Sequence, residues 1–367
     1  MKNVKYKLLW LWMLNFLVIV LMLFCPNCNA QSWHGKYLLA LSKRDHKLAV
    51  VDPVSLKVIA RIPIGNDPHE VIASSDGKTA YVSIYGGGSL HTLNEIDLVD
   101  LKPIRDIDTR PLFGPHGLTF VKGKVWFTAE GSKAVGRFDP ATGKLDWSMG
   151  TGQDRTHMIY VTNNAQKIYA TNVASGTLSI LENTPQGHRN FGPPKNAGNK
   201  NMPPPPGNFP PPGGQSHENW EQTIIPTGNG AEGFDVSPDS SELWTASAGE
   251  GTLFIIDLKS KKVSAKIDAK LFGANRLKFT PDGKLVFISS LGSGDLVIYD
   301  AKTHTEVKRV NIGHGAAGII MDPVSSRAFI ACSPDNYIAV IDLKTLKVTG
   351  HIDVGGEPDG LAWASRQ

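Results

Sequence analysis

Asp67-Pro68-His69-Glu70-Val71, Gly114-Pro115-His116-Gly117-Leu118 and Arg155-Thr156-His157-Met158-Ile159 are three copies of one unit, a loop that runs into an apolar strand. The unit returns as Gly230-Ala231-Glu232-Gly233-Phe234, Gly273-Ala274-Asn275-Arg276-Leu277, Ala316-Ala317-Gly318-Ile319 and Glu357-Pro358-Asp359-Gly360-Leu361. Successive copies lie roughly forty residues apart, the period of β-propeller blades. One interval, between His157 and Glu232, is much longer.

Outward from each copy the punctuation is regular. A hairpin turn follows, as Ser75-Asp76-Gly77 or Pro281-Asp282-Gly283, and Asp-Gly is a strong hairpin signal. A second strand comes next, rich in β-branched and aromatic residues: Tyr81-Val82-Ser83, Trp126-Phe127-Thr128, Tyr169-Ala170-Thr171, Phe287-Ile288-Ser289. The third strand ends on an acid, Asp52, Asp97, Asp139, Glu182, Asp257, Asp300 or Asp342, placed to accept hydrogen bonds from turn amides. A fourth strand such as Lys347–Ile352 completes the unit, and helical periodicity is absent. The N-terminal part supplies only strands two, three and four (Tyr37–Leu41, Lys47–Val51, Lys57–Ala60), whereas the C-terminus supplies a lone first strand, Gly360–Trp363. The expected fold is therefore all-β: a single seven-bladed β-propeller of four-stranded antiparallel blades over residues 31–367. Its ring is closed by pairing of the N- and C-terminal strands within one blade, which leaves no open edge there.

Residues 1–30 read as a signal peptide. Lys2, Lys5 and Lys7 precede an apolar run from Leu8 to Phe24, and Cys28-Asn29-Ala30 offers small residues to a signal peptidase. Export to the periplasm or medium is expected, with no membrane span once the leader is cleaved. The leader carries three of the lysines behind the formal net charge of +4, so the mature chain is nearly neutral. It has no basic block of the kind that binds nucleic acid, and a monomer is expected. Two of the three cysteines leave with the leader. Cys332, in the apolar Phe329-Ile330-Ala331-Cys332, reads as a small core residue. The long interval holds a Pro/Gly/Asn-rich insertion at about 183–219, between strands three and four of its blade, with Met202-Pro203-Pro204-Pro205-Pro206-Gly207 and Phe209-Pro210-Pro211-Pro212 inside. That composition builds no core and reads as a tolerated surface excursion, or as a contact for a proline-recognising partner.

Lys167-Ile168-Tyr169-Ala170-Thr171-Asn172, Ile338-Ala339-Val340-Ile341-Asp342 and the Val354-Gly355-Gly356-Glu357-Pro358 loop resemble the YVTN-type propeller repeat, over essentially the whole mature chain. One stretch, Gly114 to Lys144, is also similar to the repeat of streptogramin lyases, through Pro115-His116-Gly117-Leu118, Val125-Trp126-Phe127-Thr128 and Val135-Gly136-Arg137. The resemblance implies the propeller and leaves its use open, because propellers host binding modules and enzymes alike.

In an up-and-down blade the loops entering strand one share a face with those joining strands two and three. The seven recurring units therefore converge on one mouth of the central channel. In ring order the residue at the start of strand one is Asp359, His69, His116, His157, Glu232, Asn275 and Ala317. The first six are the candidate ligand-binding set. His69, His116, His157, Glu232 and Asp359 are candidate ligands of a divalent metal, since mixed imidazole and carboxylate suits zinc, copper, iron or manganese. Arg44, His46, Tyr85, His91, Glu130, Glu250, Asp295 and Asp335 stand around them on the second set of loops. No dinucleotide fingerprint, phosphate loop, nucleophile elbow or paired-cysteine metal motif occurs. The leading expectation is an exported, non-catalytic propeller that binds a small molecule or protein at a wet channel mouth. The alternatives are a metal-dependent lyase or lactonase at the same mouth, and a cell-surface interaction protein that uses the insertion.

Overall fold

Each of the recurring units becomes the inner strand of an antiparallel four-stranded sheet. In the computed structural model, which describes residues 35–184, 218–323 and 326–366, the strands form seven such sheets. The inner strands are Pro68–Ala73, Pro115–Val121, Thr156–Val161, Ala231–Val236, Ala274–Phe279, Ala316–Met321 and Pro358–Arg366. Neighbouring inner strands touch one another around the ring. The second and third strands of each blade are buried along nearly their whole length, as in Lys124–Ala129 and Thr252–Asp257. Outer strands alternate between half-buried and exposed positions, as in Lys262–Asp268. The apolar core is correspondingly divided into layers between blades, such as Tyr81, Leu93, Val125 and Phe127, or Trp126, Val135, Ile168 and Leu181.

The chain ends meet as the repeat requires. Pro358–Arg366, Gly35–Ser42, Lys47–Asp52 and Lys57–Pro63 form one sheet in that spatial order. The loops are tied as well: Lys43 N donates to Glu357 O (3.1 Å) and Arg44 N to Gly356 O (3.2 Å). The third-strand acids do the turn work expected of them. Asp52, Asp97, Asp139, Asp257, Asp300 and Asp342 each accept amides two or three residues on. Glu182 differs because no tight turn follows it; it pairs with Lys167 and Lys261. Thr177–Asn183 and Trp220–Pro226 pair up to Asn183 and Trp220, with Thr184 N bonded to Asn219 O (2.8 Å) at the base of the insertion. The bulk of that insertion, and the whole of the leader at 1–30, lie outside the described residues. Among the described residues no helix is long and apolar enough to cross a membrane.

One local feature positions the site. In six of the inner strands the pairing with the second strand skips two residues, for example between Pro68 and Val71, or between Ala274 and Leu277. Bulges of this kind bend a strand and re-aim its side chains. The skipped pairs are 69–70, 116–117, 157–158, 232–233, 275–276 and 317–318. The first member of each is one of the ring positions singled out from sequence.

Candidate functional site

The bulges bring the three histidines of adjacent blades into contact. His116 Nε2 lies 3.0 Å from His69 Nδ1, and the His116 and His157 rings lie with centroids 3.8 Å apart. On the other side His69 Nε2 is 2.9 Å from Asp67 Oδ1 and 2.9 Å from Lys43 Nζ. His157 Nδ1 makes a short hydrogen bond with Glu130, whose other oxygen accepts the Tyr85 hydroxyl, with Arg155 Nε at 3.5 Å. Tyr85 packs edge-on against both His69 and His116. A continuous chain of polar groups thus runs from Lys43 and Asp67 through the three imidazoles to Glu130. Tyr85 and Glu130 reach it from the loops between second and third strands, Glu130 opening the short 3-10 turn Glu130–Ser132.

Burial is deeper than a wet mouth would give. His116 is 2% exposed, His157 4% and Glu130 5%. His69 and Tyr85 are half-buried above them. The reason is the close approach of neighbouring inner strands, which leaves the second strand position facing other side chains rather than open solvent. Burial first, and then the neighbouring His157 and His69, hold the His116 imidazole well below its ordinary value. For Glu130 burial acts upward, but hydrogen bonds from His157 and Tyr85 and the Arg155 charge outweigh it, so the carboxyl lies below its usual range. Burial and the Glu130 hydrogen bond push the Tyr85 hydroxyl up to about 12. The hydrogen bond from His69 holds Asp67 far below the ordinary carboxylate value, against the effect of its burial. His116 Nδ1 is buried and has no hydrogen-bond partner. Among the described residues, His116, Glu130 and His157 are a group of potential metal ligands whose donor atoms all lie within 4.8 Å of one another.

The remaining ring positions form a second network. Asn275 Nδ2 donates to Glu232 Oε2 (2.5 Å), while Arg276 bonds Asn275 Oδ1 (3.3 Å) and reaches across the channel to Glu70 Oε1 (2.6 Å). Arg276 is 8% exposed, and Glu70 leads the carboxylates that keep it charged against its burial. Asp359 faces Lys43 at 3.5 Å and His69 Nδ1 at 3.8 Å. Asp359 therefore meets the cluster at its His69 end and Glu232 is tied to Asn275, so neither joins the buried group of His116, His157 and Glu130, and Ala317 contributes no polar group. Of the outer loop residues, Tyr85 and Glu130 join the cluster. Arg44 pairs with Glu357, His91 with Asp108 and Asp335 with His314, while Glu250 accepts the Asn229 amide; all four tie their loop to a neighbouring loop rather than join the cluster. Lys43, Asp67, Glu70 and Arg276 went unnoticed in the sequence. Glu70 and Arg276 did carry a signal: they stand at a position filled by glycine in four of the seven units.

No protein-family profile and no curated protein matches the sequence. Solved structures do match its fold. A functionally unknown protein from Desulfotomaculum acetoxidans is 10% identical over 90% of this chain and 99% of that one, with a TM-score of 0.68. A candidate 6-phosphogluconolactonase from Bacteroides fragilis is 14% identical over 91% and 99%, also at 0.68. Kuenenia stuttgartiensis hydrazine synthase is 14% identical over 80% and 89%, at 0.62. At such identities the likeness carries the fold alone, and the chain is a seven-bladed β-propeller.

Proposed function

We propose that this is an exported YVTN-type propeller that binds a small polar molecule at the channel end lined by His69, His116 and His157. The observation that carries the reading is the ionisable chain itself. Lys43, Asp67, His69 and His116 are hydrogen-bonded in series, His116 lies ring against ring with the hydrogen-bonded pair His157 and Glu130, and yet buried His116 keeps an unpartnered nitrogen. A buried polar atom without a partner costs about 1–3 kcal/mol, and such costs concentrate where a ligand is bound or a proton moved. Half-buried His69 and Tyr85 give the cluster its way out to solvent. A lactonase or lyase is the second reading. It is favoured by the Glu130–His157 pair, in which a carboxylate orients an imidazole as it would a general base.

The test is thermal melting of tag-free protein with millimolar amino acids, carboxylic acids, sugars and sugar lactones. At least one compound should raise the midpoint by a few degrees, because ligand at a hundred times its Kd adds about 2.7 kcal/mol. The rise should vanish in His69→Ala and Tyr85→Phe and persist when residues 185–217 are replaced by an Asn-Gly turn. A rise that survives the first two variants and is lost with the insertion overturns the mouth in favour of the insertion, and no rise with any compound also overturns it. Catalysed ring-opening of a lactone, lost in His157→Asn, would move the chain to the enzymatic reading.

A further inference from the structure

We infer that His116, His157 and the Glu130 carboxylate bind a divalent transition-metal ion, with His69 and Asp67 as the outer residues that orient His116. The donor atoms of the three proposed ligands lie within 4.8 Å of one another, and all three side chains are at least nine-tenths buried. Two imidazoles with one carboxylate is a donor set suited to zinc, copper, nickel or iron. The set is built from three bulged or looped positions on two neighbouring blades: Glu130 from the loop after Lys124–Ala129, His116 from the same blade, and His157 from the next.

The protons follow from the hydrogen bonds. His116 Nε2 is taken by His69 Nδ1 at 3.0 Å, so Nδ1 is the ring atom left free. Two tautomers satisfy His69. If Lys43 donates to His69 Nε2, the His69 proton sits on Nδ1 and points at His116 Nε2; His116 must then carry its own proton on Nδ1, a buried N–H with no acceptor. If His69 Nε2 donates to Asp67 instead, its Nδ1 accepts from His116 Nε2–H, and His116 Nδ1 presents a lone pair. The second arrangement strands no ring N–H, and the Lys43 ammonium, which cannot donate to a protonated Nε2, turns to the Asp67 and Asp359 carboxylates, each at 3.5 Å. It is also the carboxylate–histidine pattern that fixes the tautomer of a metal-ligating imidazole, extended here by one ring. His69, Glu232 and Asp359 consequently fall outside the ligand set, although the repeat places them at positions equivalent to His116. Three protein ligands leave a four-coordinate ion one position for a small oxygen or nitrogen donor. That last step rests on the reading of the mouth given above; the metal does not.

The experiment is a calorimetric titration of EDTA-treated, tag-free protein with Zn²⁺ and with Co²⁺, with Co²⁺ uptake also followed by its visible absorption. Stoichiometric uptake is expected. His157→Ala and Glu130→Gln should weaken it by at least a hundredfold. His69→Ala and Asp67→Asn should weaken it by about ten- to a hundredfold, the usual effect of losing an outer-shell partner, while Glu232→Gln and Asp359→Asn should leave it unchanged. Uptake no greater than the buffer blank, uptake untouched by His157→Ala and Glu130→Gln, or equal weakening by Glu232→Gln would each overturn the site. Should the ligand variants fail to fold, a zinc-soaked crystal of the unaltered protein decides: an anomalous peak among His116, His157 and Glu130 supports the assignment, and a peak only elsewhere overturns it. Stabilisation by a small molecule in metal-free protein that takes up no ion removes the metal and keeps the mouth. Metal uptake with no response to any small molecule does the reverse.

Discussion

Cys332 lies at the end of the second strand Arg327–Cys332, fully buried, with its sulfur 3.5 Å from the Ile312 carbonyl. Burial, and then the nearby Asp335 carboxylate, push its thiol up to about 12. Against an ordinary cysteine near 8.5 the thiolate is scarcer by roughly three orders of magnitude or more at neutral pH. Folded protein should therefore show no reaction with a disulfide-based thiol reagent at pH 8 over an hour, and one equivalent after addition of denaturant. Prompt labelling of the folded state would mean that this blade opens readily. The core role of Cys332 was legible because an apolar strand surrounds it. The three histidines were legible too, since aligned repeats put aligned residues on one face. Their convergence was not, because spacing says nothing about how far a bulge swings a side chain. Glu130 stands among the residues expected around the mouth, but nothing in the sequence sets it apart from the others there; Asp67 opens a recurring unit whose copies share no one opening residue, and Lys43 belongs to the blade completed by the far end of the chain.

At the level of the strand, the bulge that carries each ring residue also crowds its successor. A Cβ added to Gly233 would stand 2.2 Å from the Asn275 carbonyl oxygen, and one on Gly318 2.2 Å from that of Asp359. Inner strands of neighbouring blades thus pack backbone against backbone there, which explains why glycine recurs after the ring position. Gly233→Ala forces two strands apart and should cost about 1–3 kcal/mol, as overpacking does. Gly150, on the outer strand Lys144–Gly150, has open space around its Cα. Gly150→Ala should be neutral or up to about 1 kcal/mol stabilising, because glycine is the poorer strand residue. Urea midpoints of the two variants give the comparison, and equal effects would refute the close packing. The turns were readable from Asp-Gly and the terminal acids, which act on their own amides. The bulges were not, because they exist only in the register between two strands.

For the molecule as a whole, closure follows from counting strands: three at one end and one at the other complete a blade that neither end can make alone. That count was legible in the sequence, and the sheet joining Pro358–Arg366 to Gly35–Ser42 realises it. The C-terminal strand is bound on both sides of its blade. Ala362 and Ala364 pack into the layer with Leu39, Leu41 and Val71, while Leu361 and Trp363 pack into the layer with Phe329 and Val340. Trp363 Nε1 donates to Met321 O (2.8 Å), its ring meets Phe329 edge-on at 5.6 Å, and Lys36 Nζ lies 4.5 Å over it. Ending the chain after Glu357 removes all of this and also strips the inner edge of Gly35–Ser42 of its hydrogen-bonding partner. Each large side chain withdrawn from the core costs about 1.5–3 kcal/mol, and a domain's whole net stability is about 5–15 kcal/mol. The loss of two large side chains, two buried alanines and a strand's worth of backbone pairing is of the same size as that margin. The exposed edge is besides a template for pairing with other chains. The truncated protein should aggregate, or unfold at a far lower denaturant concentration than the full chain, with sedimentation and a urea transition as the readouts. A truncated chain that stays monomeric and unfolds within a few tenths molar of the full one would show that the seventh blade does not hold the ring shut.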